Sequence, residues 1–424
     1  MKKTIGLSLL AFSSLFADAE LDAIKEQLKQ QQLIMQKLQD KVLELTKKSE
    51  AKEQNALDVK MAQNANSSSS FSQNAYLPDM ALVLNMSAVG RNVQNSDYEN
   101  YAIPGFIDSP LVSGEENEIP FNKNRGFNLN YAEFAMSSTV DPYFDAFAIF
   151  HLQADAFEIE EAFVRTRTLP YGLKVKAGKF RSDFGRINSI HQHAWNFDSQ
   201  PIVYETLVGP EAINDPGIQL QWVAPTDTYL MAGVEGLQGT NDRSFGDTEQ
   251  NNLYVGYLKS SVDIGDTLSV LGGVSLAHGK NTTANVTDIY GADLTLREEL
   301  GSYSSLVWQS EYLYRNKDIG ASNDKQTGLY SELVYHKDKN WAGGIRYDAI
   351  VQNDTDLVAN YAGVDTDNLD RYTAMLEYKP FPMSRLRVQY TYDRTKVIDG
   401  LRKDISEVVF SLNIAAGAHS AHSY

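Results

Sequence analysis

"MALVLNMSAV", residues 80–89, repeats with a period of two. Leu82, Leu84, Met86 and Ala88 fall on one side of an extended chain, and Val83, Asn85, Ser87 and Val89 on the other. Successive side chains of a strand point to opposite faces, so this alternation marks a strand held between two environments. The rhythm returns at 134–140, 144–150, 268–274, 306–312, 386–392 and 408–414. Along the whole chain it yields 16 segments, each about nine to eleven residues, the length that a tilted membrane strand needs.

The connections sharpen this reading. Short turns fall at 141–142, 169–172, 224–227, 263–266, 297–301, 337–340 and 379–384. Between them lie mostly longer, polar connections, at 92–125, 182–216, 238–251 and 351–369. Short turns alternating with long loops are the pattern of an outer-membrane barrel, with the short turns in the periplasm. The expected fold is all-β and transmembrane: a 16-stranded antiparallel barrel over 80–424, with both termini on the periplasmic side. Sixteen strands leave a water-filled lumen. Trp222, Trp341, Tyr312, Tyr330, Tyr347, Tyr378, Tyr390 and Tyr392 are placed to supply the interfacial aromatic girdles.

Composition and the N-terminal segment agree with an envelope protein. Lys2 and Lys3 precede an apolar run at 5–16, and Ala17-Asp18-Ala19 offers small residues for cleavage, so 1–19 reads as a secretory signal peptide. The chain has no cysteine and a formal net charge of −17, which argues against a disulfide framework and against nucleic-acid binding. Leu21, Ile24, Leu28, Gln31, Met35, Leu38, Val42 and Leu45 alternate at spacings of three and four. That seam predicts a periplasmic coiled-coil helix over 20–55 and hence self-association. A Ser-rich linker, 56–79, follows. The acidic stretches at 115–118 and 354–370 are expected to face solvent or to meet lipopolysaccharide through bridging cations at the lipid surface.

Against this acidic background, 165–186 carries seven basic residues and one acid, Asp183. Ala162, Val164, Thr166, Leu173, Val175 and Ala177 form an apolar set for the lipid face. The opposite face then carries Arg165, Arg167, Lys174 and Lys176 into the lumen, because a cation on the lipid face near the midplane costs about 2–4 kcal/mol. Together with Arg181 and Arg186 they are candidates to line the pore and attract anions. The alternative is a bracing network with Asp155, Glu158, Glu160 and Glu161. The connection after 182 is expected to fold into the lumen, with Arg186 and Asp183 at a constriction.

"LKVKAGKFRSDFGRINSIHQHAWNF" (173–197), "GIQLQWVAPTDTYLMAGVE" (217–235) and "NIAAGAHSAHSY" (413–424) resemble segments of the family labelled zinc-regulated outer-membrane receptors. "AGKFRSDFG" (177–185) also resembles a stretch of the phosphate-selective porin O/P group. That resemblance implies a trimeric, 16-stranded anion channel, in some members preceded by a periplasmic coiled coil. The receptor label implies zinc, although the segment before the first strand leaves no room for the plug of a 22-stranded receptor. His191 and His193, with Asp198, Glu205 and Glu211 in the same connection, are candidate ligands for a divalent metal, and His419 and His422 form a second pair. Ordinary hydrogen-bonded histidines are the alternative. No resident cofactor is otherwise expected. His151 lacks a nucleophile signature around it, so an enzyme is not expected. The expected function is passive diffusion of small hydrophilic solutes, with anions favoured. A metal-linked uptake channel and a non-conducting envelope tether are the alternatives.

Overall fold

Strand alternation closes on itself. The computed structural model describes residues 78–417, except 115–116, 153–156, 242, 247–251, 362, 365 and 367–368. The signal peptide, the 20–55 helix, nearly all of the linker, Asp155, and His419 and His422 lie outside the described residues.

Sixteen antiparallel strands form one closed barrel. They are β1 (Asp79–Arg91), β2 (Gly126–Thr139), β3 (Phe144–Leu152), β4 (Phe157–Thr166), β5 (Leu173–Arg181), β6 (Asn214–Val223), β7 (Tyr229–Leu237) and β8 (Leu253–Ile264). Then come β9 (Leu268–Lys280), β10 (Val286–Glu299), β11 (Ser305–Asp318), β12 (Asn323–His336), β13 (Trp341–Asp354), β14 (Asp370–Tyr378) and β15 (Ser384–Asp393). A small hairpin, β16 (Val397–Ile398) with β17 (Leu401–Arg402), precedes the closing strand β18 (Ile405–Gly417). The barrel shuts where β1 pairs with β18, from Ala81 opposite Gly417 to Arg91 opposite Glu407. Arg91 Nε donates to Glu407 at 2.7 Å, adding an ion pair at that seam.

All seven short turns are present, with those after β8 and β10 shifted to 265–267 and 300–304, and the opposite end is less regular than expected. The connections 153–156, 281–285 and 319–322 are as short as the turns. Strands β10 to β13 run to fourteen residues each, longer than the expected eleven. β1 starts at Asp79, one residue before the expected boundary.

The barrel is apolar outside and polar inside. Ile218, Val234, Val274, Ile345, Leu376 and Phe410 are exposed, while Gln219, Glu235, Ser275, Arg346, Glu377 and Ser411 beside them are buried. A lipid-facing wall around a hydrated, side-chain-filled interior requires this inversion. Trp222, Trp341, Tyr312, Tyr347 and Tyr390 point outward as girdle residues. Tyr330 does not. It lies on the inner face opposite Glu311, is fully buried, and accepts a hydrogen bond from Gln309 Nε2 at 2.7 Å.

Two β-bulges re-aim side chains near β4. The β3–β4 register shifts between Ile149 and Phe150, and the β1–β2 register between Asn85 and Met86. The first inserts Glu160, leaving Glu160 and Glu161 both buried. Bulges bend a strand locally and redirect its side chains, which matters for the cluster described below.

Candidate functional site

The connection 182–213 is what shapes the lumen. Its base is cinched by Asn188, whose Nδ2 donates to the carbonyls of Ser182 (2.9 Å) and Ile213 (3.0 Å) and whose Oδ1 accepts from Ile213 N at 2.9 Å. From there the chain crosses to the far wall. Gly185 N donates to Ser275 Oγ on β9 at 2.8 Å, and Arg186 N to Glu311 Oε1 on β11 at 3.0 Å. Tyr204 Oη donates to the same Glu311 oxygen at 2.8 Å. Gly185 has φ 59°, and a Cβ there would collide with the Glu311 carboxylate and the Tyr204 hydroxyl. Only glycine allows this approach. Phe184, Ile187, Val203, Leu207 and Val208 pack with Phe245, Ile289 and Leu313 as a buried apolar body inside the barrel.

The far half of the connection is held by a row of arginines. Arg346 Nη1 donates to the Ser199 carbonyl at 2.8 Å, and Ile202 N donates to Asp348 Oδ1 at 3.0 Å. Arg387 is fully buried and donates to Trp195 O (2.8 Å), Asp198 Oδ1 (3.0 Å) and Glu377 Oε2 (2.7 Å). Glu205, on the short helix Ile202–Leu207, meets Lys396 Nζ at 3.1 Å, Arg371 Nη1 at 3.3 Å and Tyr101 Oη at 3.0 Å. Burial alone would raise the pKa of Glu205, but Lys396 and Arg371 outweigh it and hold the carboxyl at about 2. The expected fold of this connection into the lumen is therefore what the structure has.

The basic residues separate by height. Arg165 opposes Lys176, and Val164 opposes Ala177, so the assignment of inner and outer faces on β4 and β5 agrees with the pairing. Near the short-turn end, Arg167 pairs with Asp145 at 2.9 Å and Arg165 sits 3.9 Å from the same acid, both more than a third exposed. Lys174 is exposed beside Gln221, with no carboxylate within 4 Å among the described residues. Higher up, Lys176 lies 3.8 Å from Asp183 and over the rings of Phe180 and Phe163. Arg186 Nε reaches Gln309 at 3.3 Å. Lys179 is on the outer face, donating to Ile159 O at 2.8 Å near Glu158. Arg181 differs from the others: it is buried and donates to Glu160 through Nε at 2.8 Å. Its charge is neutralised within the wall, so it is not a cation offered to solutes.

Carboxylates occupy the facing arc. Asp183, Glu235, Asp293 and Glu311 line the inner face from the connection through β7, β10 and β11, with Lys259 among them. The Asp183 carboxyl would be raised by burial, but Lys176 and Lys259 lower it. Bases and acids are therefore interleaved, with Asp145 beside Arg165 and Arg167, Asp183 beside Lys176, and Lys259 among the acids.

The predicted histidine site is regrouped. Asp198 is not near His191 and His193; it is held by Arg387 and by Ser411 Oγ at 2.7 Å. Glu205 is likewise engaged elsewhere, with Lys396 and Arg371. The histidines instead meet the wall. His191 Nδ1 lies 3.5 Å from Glu133 Oε2 on β2, and its Nε2 is 2.8 Å from Glu161 Oε2 on β4. His193 Nδ1 is 3.3 Å and His151 Nε2, from β3, 3.6 Å from the same Glu133 oxygen. Burial of the His191 ring alone would lower its pKa; Glu133 and Glu161 instead raise it to about 10. Sequence reasoning missed Glu133 and the β15 pair Arg385 and Arg387. A lone acid at an inward position of the apolar "YAEFAMSS" segment was the available signal.

No family model matches the chain. Among solved structures it is similar to the outer-membrane channel DcaP of Acinetobacter baumannii, at 12% identity over 80% of this chain and 97% of that one, with a TM-score of 0.51. An anion-selective porin from Comamonas acidovorans matches at 11% identity, covering 80% and 99% of the two chains, with a TM-score of 0.53. OprB of Pseudomonas putida matches at 10% identity over 81% and 95%, also at 0.53. These likenesses are of fold, that of an outer-membrane porin. A protein of Aquifex aeolicus (strain VF5), described as uncharacterized, is 40% identical over 390 residues, which is 84% of this chain and 82% of that protein. The chain belongs to one family with this Aquifex aeolicus protein.

Proposed function

We propose that the protein is a porin: a passive diffusion channel of the outer membrane for small hydrophilic solutes, with anions favoured. The observation that carries this reading is the lumen itself, a closed 16-stranded barrel narrowed by a connection anchored across it, with Arg165, Arg167 and Lys174 exposed on one wall. Exposed lumen cations act on permeating ions through the local field more than total charge does. Lys176 and Arg186 stand next to carboxylate or amide partners and take a bracing share, and Arg165 and Arg167 share the single carboxylate of Asp145. In this reading the segment 1–19 is removed on export, 20–55 forms a periplasmic coiled coil, 56–79 links it to the barrel, and the assembly is a homotrimer. The outer apolar belt faces membrane lipid, and acidic loops face lipopolysaccharide.

Planar-bilayer conductance in a salt gradient tests it. The expected result is a reversal potential on the anion side, and the triple replacement Arg165→Gln, Arg167→Gln and Lys174→Gln should move it toward zero. Absence of conductance from folded protein would overturn the channel, leaving the envelope tether. Cation selectivity in the unsubstituted protein would overturn the anion preference.

A further inference from the structure

Glu133, His151, His191 and His193 gather around a single carboxylate oxygen, and His151 Nε2 also meets Glu160 on β4. Glu133 is 1% exposed, and among the described residues neither of its oxygens accepts a hydrogen bond. Yet three imidazole nitrogens surround one of those oxygens at 3.3, 3.5 and 3.6 Å. Ligands bound at about 2.0–2.1 Å in a tetrahedron stand roughly 3.3–3.4 Å apart. Glu133, His151 and His191 each offer one donor atom, all within 4.8 Å of one another. We propose that these three side chains, joined by His193 once its ring turns in from beside the same Glu133 oxygen, form a site for a divalent transition metal of the zinc type, which fastens the connection 182–213 to the barrel wall.

The surroundings support a cation. Glu133, Glu160 and Glu161 are all buried, and Arg181 is the guanidinium that neutralises Glu160. Three buried carboxylates thus share one guanidinium, and the remaining positive charge that a buried site needs must come from imidazole protons or from a cation. A dication supplies it in place of those protons. His191 also shows the support that metal-bound imidazoles need, since the ring nitrogen turned away from Glu133 meets Glu161 at 2.8 Å. The Tyr131 ring stacks on His151 at 4.8 Å between centroids and fixes that ring's orientation. Three imidazoles with one carboxylate, and no thiolate in a chain without cysteine, suit zinc among the available first-row metals. The donors come from two places: His191 and His193 from the connection, Glu133 and His151 from β2 and β3. A metal here joins loop to wall. This holds whether or not the barrel conducts.

The full-length protein, folded in detergent and stripped with a chelator, would be dialysed against zinc chloride and its retained zinc measured. X-ray absorption at the zinc edge would follow. The expected result is one zinc per chain with imidazole scattering, lost in His151→Asn and His191→Asn and kept in His278→Asn, whose exposed ring pairs with Asp288. Heat-modifiability on gels reports whether each variant has folded. Folded His151→Asn and His191→Asn proteins that keep their zinc would overturn the proposal. If those variants do not fold, the unsubstituted protein decides: failure to retain zinc, or bound zinc without imidazole neighbours, overturns it.

Discussion

Gly185 is the single position on which the narrowing of the lumen turns. Its φ of 59° and the closeness of the Glu311 carboxylate and Tyr204 hydroxyl leave no room for a side chain. Gly185→Ala must either hold a strained conformation, at a cost of about 1–3 kcal/mol, or release the backbone from β11. Release also breaks the hydrogen bonds of Gly185 to Ser275 and of Arg186 to Glu311. The expected outcome is a larger and noisier single-channel conductance with a lower thermal midpoint, read in bilayers and by heat-modifiability. An unchanged conductance would mean that the tip of the connection does not govern the aperture. Arg181 teaches the same lesson from the other side. In sequence it is one cation among seven, and only its depth beside Glu160 removes it from the solute path.

At the scale of the element, the connection 182–213 is pinned at its far end by ionised groups, so its anchoring has a pH dependence whose sign follows from Glu205. The folded carboxyl titrates at about 2 rather than at its ordinary 4.5, because Lys396 and Arg371 face it and Tyr101 donates to it. A depressed acid contributes stability above its unfolded pKa and loses it as pH falls through the folded one. The anchoring is therefore full above about pH 4.5 and fades from there through about pH 2. Limited proteolysis within 182–213 should accelerate over that interval. Glu205→Gln should be more readily cleaved already at neutral pH and show little further change in acid; a variant as protected as the parent would remove Glu205 from the anchor. How far this element could be read from sequence is instructive. Its place as the third external connection, the one that folds inward in general porins, set the expectation for the lumen, and period-two alternation sufficed for β1 to β15 and β18. What alternation cannot supply is which distant strand a loop side chain meets. Asp198 and His193 lie five residues apart, yet one is held by Arg387 on β15 and the other lies against Glu133 on β2. Bulges add a second gap: the extra residue at Glu160 breaks the parity rule locally, and in the "FEIEEAFV" segment only the change of outward apolar parity from Phe157 and Ile159 to Ala162 and Val164 marks it. Tyr330 departs from the girdle for a related reason, since an aromatic at a strand position serves a girdle or a packed lumen with equal ease.

At the scale of the whole molecule, the question is what the barrel needs from the rest of the chain. The closing pair β1–β18 uses residues 81–91 and 407–417, and the Arg91–Glu407 ion pair sits within it. Every strand therefore has both neighbours from within 79–417, and a closed sheet has no edge left to satisfy. The described strands leave no edge for another segment to cover, so the barrel is expected to fold without the heptad segment 20–55, whose role in the proposed assembly is to join copies. Four heptads of apolar seam are enough to associate helices, and one polar seam position such as Gln31 selects register or number of strands at some expense of stability. Deleting 20–55 while keeping the export signal separates these two functions. The expected product is a heat-modifiable barrel of normal thermal midpoint that sediments as a monomer, whereas the full chain sediments as a trimer. Unfolding of the truncated protein would mean that the barrel depends on the segment after all. A truncated protein that remains trimeric would move the oligomer contact to the apolar outer wall, where residues such as Ile218, Val234, Ile345 and Phe410 stand exposed.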